Sequence, residues 1–444
     1  MHDAGSGENM NPKKINIITL GCSKNVVDSE KLIRQLDAGG YSVVFDQSDN
    51  TAGTVIINTC GFINDAREES VDTILQYARE KESGNIESLY VIGCLSERYM
   101  DDLKSEIPEV TRYFGVNSMT DILKELKTGT RKELLTERTL TGPGHYAYLK
   151  VSEGCDRKCS FCAIPSIRGK HVSRPIDELA EESGKLYSTG VKELILIAQD
   201  LTYYGRDLYR KQALTELVRE IIKRADFDWI RLHYLYPAGF PADILDLIRD
   251  NPQICRYIDI PIQHITDNML GSMKRSHDRK ETIRLLETIR ATLPDAAIRT
   301  TIITGYPGET EDDFRYLKDF ITDFRFDRLG VFAYSHEEDT FAFKHYPDDI
   351  PESVKQDRVS ELMAIQQDIS EELNRKLIGR VMKTIIDRRE GEFSIGRTEY
   401  DSPEVDQEVL IPSEYGLVPG DFYNIRVTGT TEFDLYGVPD NHQL

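Results

Sequence analysis

No window of this 444-residue sequence approaches the roughly 20 consecutive apolar residues that span a bilayer, which excludes a membrane-spanning helix. Basic residues are outnumbered, with 55 Lys plus Arg against 76 Asp plus Glu and a formal net charge of −21. Broad contact with a phosphate backbone draws on Lys and Arg, so extensive RNA binding is disfavoured and a basic partner suits the chain better. The opening "MHDAGSGENMNPKK" lacks the apolar run of a secretory signal; residues 1–13 read as a disordered tail and export is not expected. Cysteine is sparse and odd in number: Cys22, Cys60, Cys94, Cys155, Cys159, Cys162 and Cys255. In a chain of this size without a secretory signal, clustered thiols suggest metal or redox chemistry before disulfides, and a reducing, cytoplasmic compartment. Tandem repeats and long low-complexity tracts are absent.

What is present is the balance of a globular protein, 39% hydrophobic and 30% charged, long enough for two or three domains. From residue 15, "INIITLGCSKNVVDSEKLIRQLDAGGYSVV" reads as strand, turn, amphipathic helix and strand, and "TVIINTCGFINDAREESVDTILQYARE" and "LYVIGCLSERYMDDL" repeat the pattern. Residues 14–130 are therefore expected to form an α/β domain with a parallel sheet, followed by a linker at 131–143. Over 144–372, six apolar segments from "YAYLKV" to "RLGVFAYS" alternate with helical patterns. A closed barrel of this kind has eight units, so six predict an open (β/α)6 partial barrel. A long helix is predicted at 351–378, and the texture of 373–444 predicts a small antiparallel β-barrel.

Cys22, Cys60 and Cys94 each stand just beyond a predicted strand, on the sheet edge where parallel sheets bind ligands, so they could converge in space. The plainer reading is that small buried cysteines happen to end these strands. The stretch "SEGCDRKCSFCAIPSIRGKHVSRP" places three more thiols, Cys155, Cys159 and Cys162, within eight positions after the first barrel strand. Thiolates favour zinc or iron–sulfur clusters. A structural zinc needs four protein ligands; three are here, and His171 is the only nearby candidate for a fourth. A four-iron cubane on three thiolates instead leaves one iron open to a reacting molecule, whereas electron-transfer clusters usually have every iron capped.

"GCDRKCSFCAIP" resembles the radical S-adenosylmethionine signature Cys-x-x-x-Cys-x-x-Cys, with Phe161 in the aromatic position before the last cysteine. The resemblance implies a 4Fe–4S cluster on Cys155, Cys159 and Cys162 and S-adenosylmethionine on its open iron. It also implies a 5'-deoxyadenosyl radical as the reagent. The order of a cysteine-bearing α/β domain, a radical domain and a TRAM-like barrel further resembles the methylthiotransferases. In that family the counterparts of Cys22, Cys60 and Cys94, in "TLGCSKNVVDSE", "NTCGFINDAREES" and "VIGCLSERY", hold a second 4Fe–4S cluster that carries sulfur. The implied chemistry requires both clusters to face one cavity.

Within that family, "CAIPSIRGKHVSRP", "HYLYP" and "FAYSHEEDTFAF" are similar to the branch that modifies the β-carbon of an aspartate in small-subunit ribosomal protein S-twelve, although Asp339 stands where a Gly is expected. The segment from Lys376 to Leu444 carries 7 Lys plus Arg against 13 Asp plus Glu, which suits a basic ribosomal protein or the small ribosomal subunit better than RNA. Methylthiolation of an adenosine in transfer RNA is the alternative, and a zinc-stabilised ribosome-binding factor without catalysis is a third reading. Expected S-adenosylmethionine contacts are Gln199 in "IAQDLTYYG", Gln263 in "DIPIQH" and Gly305 in "TIITGYPGE". Tuning of the cluster's potential, binding of the S-adenosylmethionine carboxylate or plain solvation would account for the charges Arg157, Lys158, Arg168, Lys170, His171 and Arg174. Tyr203, Tyr204, Tyr234 and Tyr236 are candidates for a substrate passage or for core, and Cys255 for core. The implied electron source is a reductase such as a flavodoxin or ferredoxin.

Overall fold

The computed structural model describes residues 11–47, 52–61 and 64–440; the tail expected at 1–13 lies outside them as far as residue 10. The chain forms two compact units. The first comprises the residues up to Thr141 together with Glu153–Cys155 and Ala163–Lys170, and the second comprises the rest.

In the first unit, β1 (Asn11–Thr19), β2 (Ser42–Phe45), β3 (Ala52–Thr59), β4 (Ser88–Gly93) and β5 (Arg112–Tyr113) make one parallel sheet in the order β2-β1-β3-β4-β5. Strand β3 is central and buried along its whole length, which is why "AGTVIINT" is nearly continuous in apolar character. Alternate side chains feed two cores. Ile15, Ile17, Ile56 and Tyr90 pack with Leu32, Ile33 and Leu36 of the helix Ser23–Ala38. Ile18, Val55, Ile57, Leu89 and Val91 pack with Ile74, Tyr77 and Ala78 of the helix Asn64–Glu82. Strand order reverses between β1 and β3, the point outside whose carboxyl ends doubly wound sheets bind ligands. Residues 131–141 are not a free linker. Arg131 exchanges two hydrogen bonds with Gln35 (2.8 and 3.0 Å), and the Thr141 N–H donates to Glu30 at 3.0 Å.

Six strands of the second unit correspond to the expected β/α units: β6 (Tyr146–Lys150), β7 (Glu193–Ile197), β8 (Trp229–Leu232), β9 (Tyr257–Asp259), β10 (Ala297–Thr304) and β11 (Arg328–Ala333). All their pairings are parallel. They run as β8-β7-β6 and β9-β10-β11. Between β8 and β9 the ladder thins to a bridge, with the Cys255 N–H donating to Ile230 (2.9 Å) and the Leu235 N–H to Asp259 (2.8 Å). Among the described residues β6 and β11 do not pair, so the expected six-unit barrel is open.

The helix Glu352–Arg375 begins after Pro351 and leads to a closed barrel of β12 (Val381–Glu390), β13 (Phe393–Thr398), β14 (Val409–Pro412), β15 (Phe422–Thr430) and β16 (Leu435–Pro439). The expectation of an entirely antiparallel barrel is corrected at one seam: β14 pairs with β16 in parallel, Val409 opposite Leu435. Odd strand number forces this, because five strands cannot close with every neighbour antiparallel. The barrel belongs to the second unit through buried ion pairs. Glu193 accepts from Arg231 (2.7 Å) and pairs with Arg397 (2.6 Å); Arg397 also reaches Asp387, whose carboxylate meets His145 at 2.8 Å. Arg299 joins Asp259 (3.3 Å) to Asp406 (3.2 Å). Removing a shared member such as Arg397 or Arg299 would leave two buried carboxylates short of a partner, a loss of about 3–5 kcal/mol.

Candidate active site

The three strand-end loops of the first unit converge. Cys22 follows β1, Cys60 follows β3, and Cys94 opens a short helix, Cys94–Arg98, after β4. Glycines beside them permit the approach. A Cβ on Gly21 (φ +85°) would lie 2.5 Å from the Cys60 Cβ and 2.8 Å from its Sγ, and one on Gly61 would lie 2.7 Å from Leu95 backbone and 3.0 Å from the Cys94 carbonyl carbon. Ser70 clamps Cys60 by accepting from its N–H (3.1 Å) and donating to its carbonyl (2.9 Å). Asn25 ties two loops together, its Nδ2 donating to the Leu20 and Thr59 carbonyls at 2.8 and 3.1 Å. Asn58 in turn donates to the Asn25 carbonyl (3.0 Å) and to Ser29 (3.0 Å).

The electrostatics differ among the three thiols. Burial opposes ionisation of Cys22, but the charges of Lys24 and Arg168 and two backbone N–H groups outweigh it and hold the thiol below its usual value. Burial pushes Cys94 up to about 11, with Arg168 opposing.

In the second motif, Cys155 packs in the first unit and Cys159 and Cys162 in the second. The Cys155 N–H donates to the Gly169 carbonyl at 3.1 Å, and Gly154 (φ +72°) has a carbonyl 2.1 Å from where a Cβ would stand, so only glycine fits. The Cys162 N–H donates to the Cys159 carbonyl at 3.2 Å. Phe161 packs with Met269, Met273 and Tyr306. All six motif thiols are free of disulfides. Among the described residues no three His, Cys, Asp or Glu side chains are grouped to hold a single metal ion. His171, the candidate fourth zinc ligand, is buried with its ring on Ser173 (2.9 Å) and edge-on to Tyr203.

Around Cys159 the second unit builds a stack not legible in the sequence. Arg275 donates to the Cys159 Sγ at 3.2 Å and to the Pro261 carbonyl at 2.6 Å. The Tyr236 ring lies between two guanidinium groups, Arg157 at 3.9 Å and Arg275 at 4.2 Å, with its hydroxyl 3.7 Å from the same sulfur. Arg157 is fixed in turn by Asp200 (2.7 Å) and the Ala238 carbonyl (2.9 Å). Donors aimed at a cluster sulfur set its potential.

Of the expected S-adenosylmethionine contacts, Gln199 is half-buried two residues beyond β7. Gln263 bridges onto β10 with φ +71°, and its buried Oε1 accepts no hydrogen bond. An acceptor kept dry at the end of a barrel strand fits a ligand that donates. Gly305 (φ +74°) has another reason to be glycine: the Lys355 stem stands 2.4 Å from where its Cβ would be. Its N–H donates to Glu309 (2.6 Å), which also binds Arg358 and His264. That network fixes the "GYPGE" turn.

The description "Radical SAM superfamily" matches residues 149–321, "Uncharacterized protein family UPF0004" residues 14–115, and "TRAM domain" residues 378–439. The ribosomal protein uS12 methylthiotransferase RimO of Bacteroides fragilis is 55% identical over 429 residues, covering 96% of this chain and 99% of that protein. Its namesake in Flavobacterium psychrophilum is 54% identical over 433 residues, covering 97% and 99%. The chain belongs to the RimO family of radical SAM methylthiotransferases. Among solved structures, the radical S-adenosylmethionine methyltransferase TsrM of Kitasatospora setae shares the fold, with a TM-score of 0.54, 15% identity and 72% of each chain covered. Membership in the radical SAM superfamily implies one 4Fe–4S cluster and S-adenosylmethionine, and the donor set of Cys155, Cys159 and Cys162 fits such a cluster.

The remaining expectations divide. Asp339, standing where Gly was expected, adopts φ +65° and pairs with Lys344 at 3.3 Å. Tyr204 is fully buried with its hydroxyl on the Arg174 carbonyl, and Cys255 is buried core. Tyr203 and Tyr234 are half-buried. Lys158 and Lys170 are exposed, while Arg174 is held by Glu182 (2.6 Å). Arg168 is buried, paired with Glu153 of its own loop (3.0 and 3.1 Å), and its charge also acts on Cys22 and Cys94.

Proposed function

We propose that this protein transfers a methylthio group to the β-carbon of an aspartate side chain in ribosomal protein uS12, using two 4Fe–4S clusters and S-adenosylmethionine in the cytoplasm. What carries the proposal is the match along nearly the whole chain to uS12 methylthiotransferases. When bound, the cofactors supply one-electron cleavage of S-adenosylmethionine, hydrogen abstraction from an unactivated carbon, and sulfur for insertion. The chain's own residues bind and position. Cys155, Cys159 and Cys162 would hold the radical-generating cluster, with Arg275 and Tyr236 at the Cys159 sulfur. Cys22, Cys60 and Cys94 would hold the sulfur-carrying cluster, supported by Ser70 and Asn25. Gln263 would accept from S-adenosylmethionine, and a flavodoxin or ferredoxin would supply electrons.

The acidic C-terminal segment supports a basic protein substrate over transfer RNA. The test is an anaerobic assay of reconstituted enzyme with S-adenosylmethionine, a sulfide source and a strong reductant. It offers uS12, assembled small subunits and transfer RNA side by side, read by mass spectrometry. A methylthio adduct mapped to an aspartate of uS12 is expected. Modified adenosine without modified protein would assign the chain to RNA instead.

A further inference from the structure

Arg168 follows the radical-SAM cysteines in sequence, on the short helix Ile164–Arg168, yet this helix packs within the first unit. Ala163 and Ile167 form a buried cluster with Cys94 and Val116. The guanidinium is 3% exposed. One nitrogen donates to both Glu153 oxygens (3.0 and 3.1 Å) and stands 3.5 Å from Asp28. The other donates at 2.6 Å to Asn25, the side chain that ties the Cys22 and Cys60 loops. The same group donates to the Cys94 thiol and acts as a charge on Cys22. The next residue, Gly169, accepts from the Cys155 N–H.

A buried guanidinium is costly unless something anionic requires it. Glu153 and Asp28 meet one nitrogen of the fork, and the other meets the neutral Asn25 amide. A cubane on three thiolates is anionic and becomes more so on reduction, so a cation there stabilises both the loaded and the reduced forms.

We propose that Arg168 is a positioning residue for the cluster of Cys22, Cys60 and Cys94: it holds that anionic group and sets how readily it accepts one electron. This rests on the N-terminal trio binding a cluster, as proposed above. The redox step adds a single electron from dithionite to the cluster, with no bond broken and no proton moved.

The test uses the full chain with Cys155, Cys159 and Cys162 all changed to Ala, so that only the N-terminal cluster can form. After anaerobic reconstitution, iron and sulfide are counted and the midpoint potential is read by electron paramagnetic resonance in a mediated titration. Arg168→Gln in this background should lower the reduced-to-oxidised ratio at fixed potential at least tenfold, about 59 mV for one electron, or lose the cluster while melting like its parent. Arg168→Lys should keep the cluster and stay within about threefold, as a retained charge requires. Unchanged potential and loading in Arg168→Gln would overturn the proposal, and equal loss in Lys and Gln variants would assign the effect to packing and overturn it too. Should Arg168→Gln not fold, Asp28→Asn decides. This partly exposed change removes a negative charge 3.5 Å from the same guanidinium, so the potential should rise, and no shift refutes the idea. A parent that binds no iron would remove the N-terminal cluster itself, and the role of Arg168 with it.

Discussion

Gly21→Ala tests the convergence of the N-terminal thiols. The residue has φ +85°, where an L side chain costs about 1–2 kcal/mol. The added Cβ would stand 2.5 Å from the Cys60 Cβ and 2.8 Å from its Sγ, inside contact distance, and overpacking of this kind costs about 1–3 kcal/mol more. The sum is about 2–5 kcal/mol, which lowers the melting transition of the first unit by roughly 4–20 °C at the 2–4 °C per kcal/mol of domains this size. Gly40→Ala is the control: its φ is +88°, but nothing lies within 4 Å of the new Cβ, so it bears only the backbone cost. Scanning calorimetry of the metal-free proteins gives the difference, and iron bound by the N-terminal trio after reconstitution gives its consequence. Gly21→Ala should melt well below Gly40→Ala and lose N-terminal iron, whereas Gly40→Ala should load fully. Equal melting and equal loading would show that the Cys22 and Cys60 loops do not touch as described.

Arg275→Gln removes the donor to the Cys159 sulfur and should cut the reduced fraction of the radical-generating cluster about tenfold at fixed potential, about 59 mV; an unchanged titration curve would discount that contact. Burial opposes ionisation of Glu193 and Asp387, but Arg397 and Arg231 at Glu193, and His145 and Arg397 at Asp387, outweigh it and hold both carboxyls below their usual values. Their stabilisation is therefore complete above the unfolded carboxyl range near pH 4 and is lost as pH falls through the lower folded values. Urea unfolding of metal-free protein should show this acid loss, and Arg397→Met should cost about 3–5 kcal/mol at pH 7 while flattening it; a variant as stable as wild type would contradict the buried network. Asp339→Gly relieves a left-handed aspartate and loses one exposed ion pair to Lys344, so it should raise stability by about 0.5–1 kcal/mol. A clear fall in melting temperature would mean that the Asp339 side chain has a further role.

Local signals made most of the fold legible. The run "TVIINTC" marks a strand buried on both faces, and the recurrence of strand, cysteine and helix places three thiols at one sheet edge. The long helix at 351–378 is found at Glu352–Arg375, and Pro351 marks its start. What the sequence hides are contacts between distant residues. Nothing near "PSIRG" reveals that Arg168 meets Asn25, 143 positions away, and nothing near "MKRSH" reveals that Arg275 meets Cys159, 116 positions away. The ion pairs that bind the C-terminal barrel into the second unit join single charges on separate strands, Glu193 with Arg397 among them, and an isolated charge in a strand carries no mark of its partner. Gly305 reads as a ligand-facing glycine because its turn is local, whereas the Lys355 stem that requires it lies on a remote helix.

The account depends most on each cysteine trio holding its own four-iron cluster. Iron and acid-labile sulfide counted on anaerobically reconstituted wild type, Cys60→Ala and Cys155→Ala test this directly. About eight irons with equal sulfide are expected for wild type and about four for each variant, the loss falling on different spectroscopic signals in the two. One zinc per chain, or a wild-type iron content that either single substitution abolishes entirely, would contradict it.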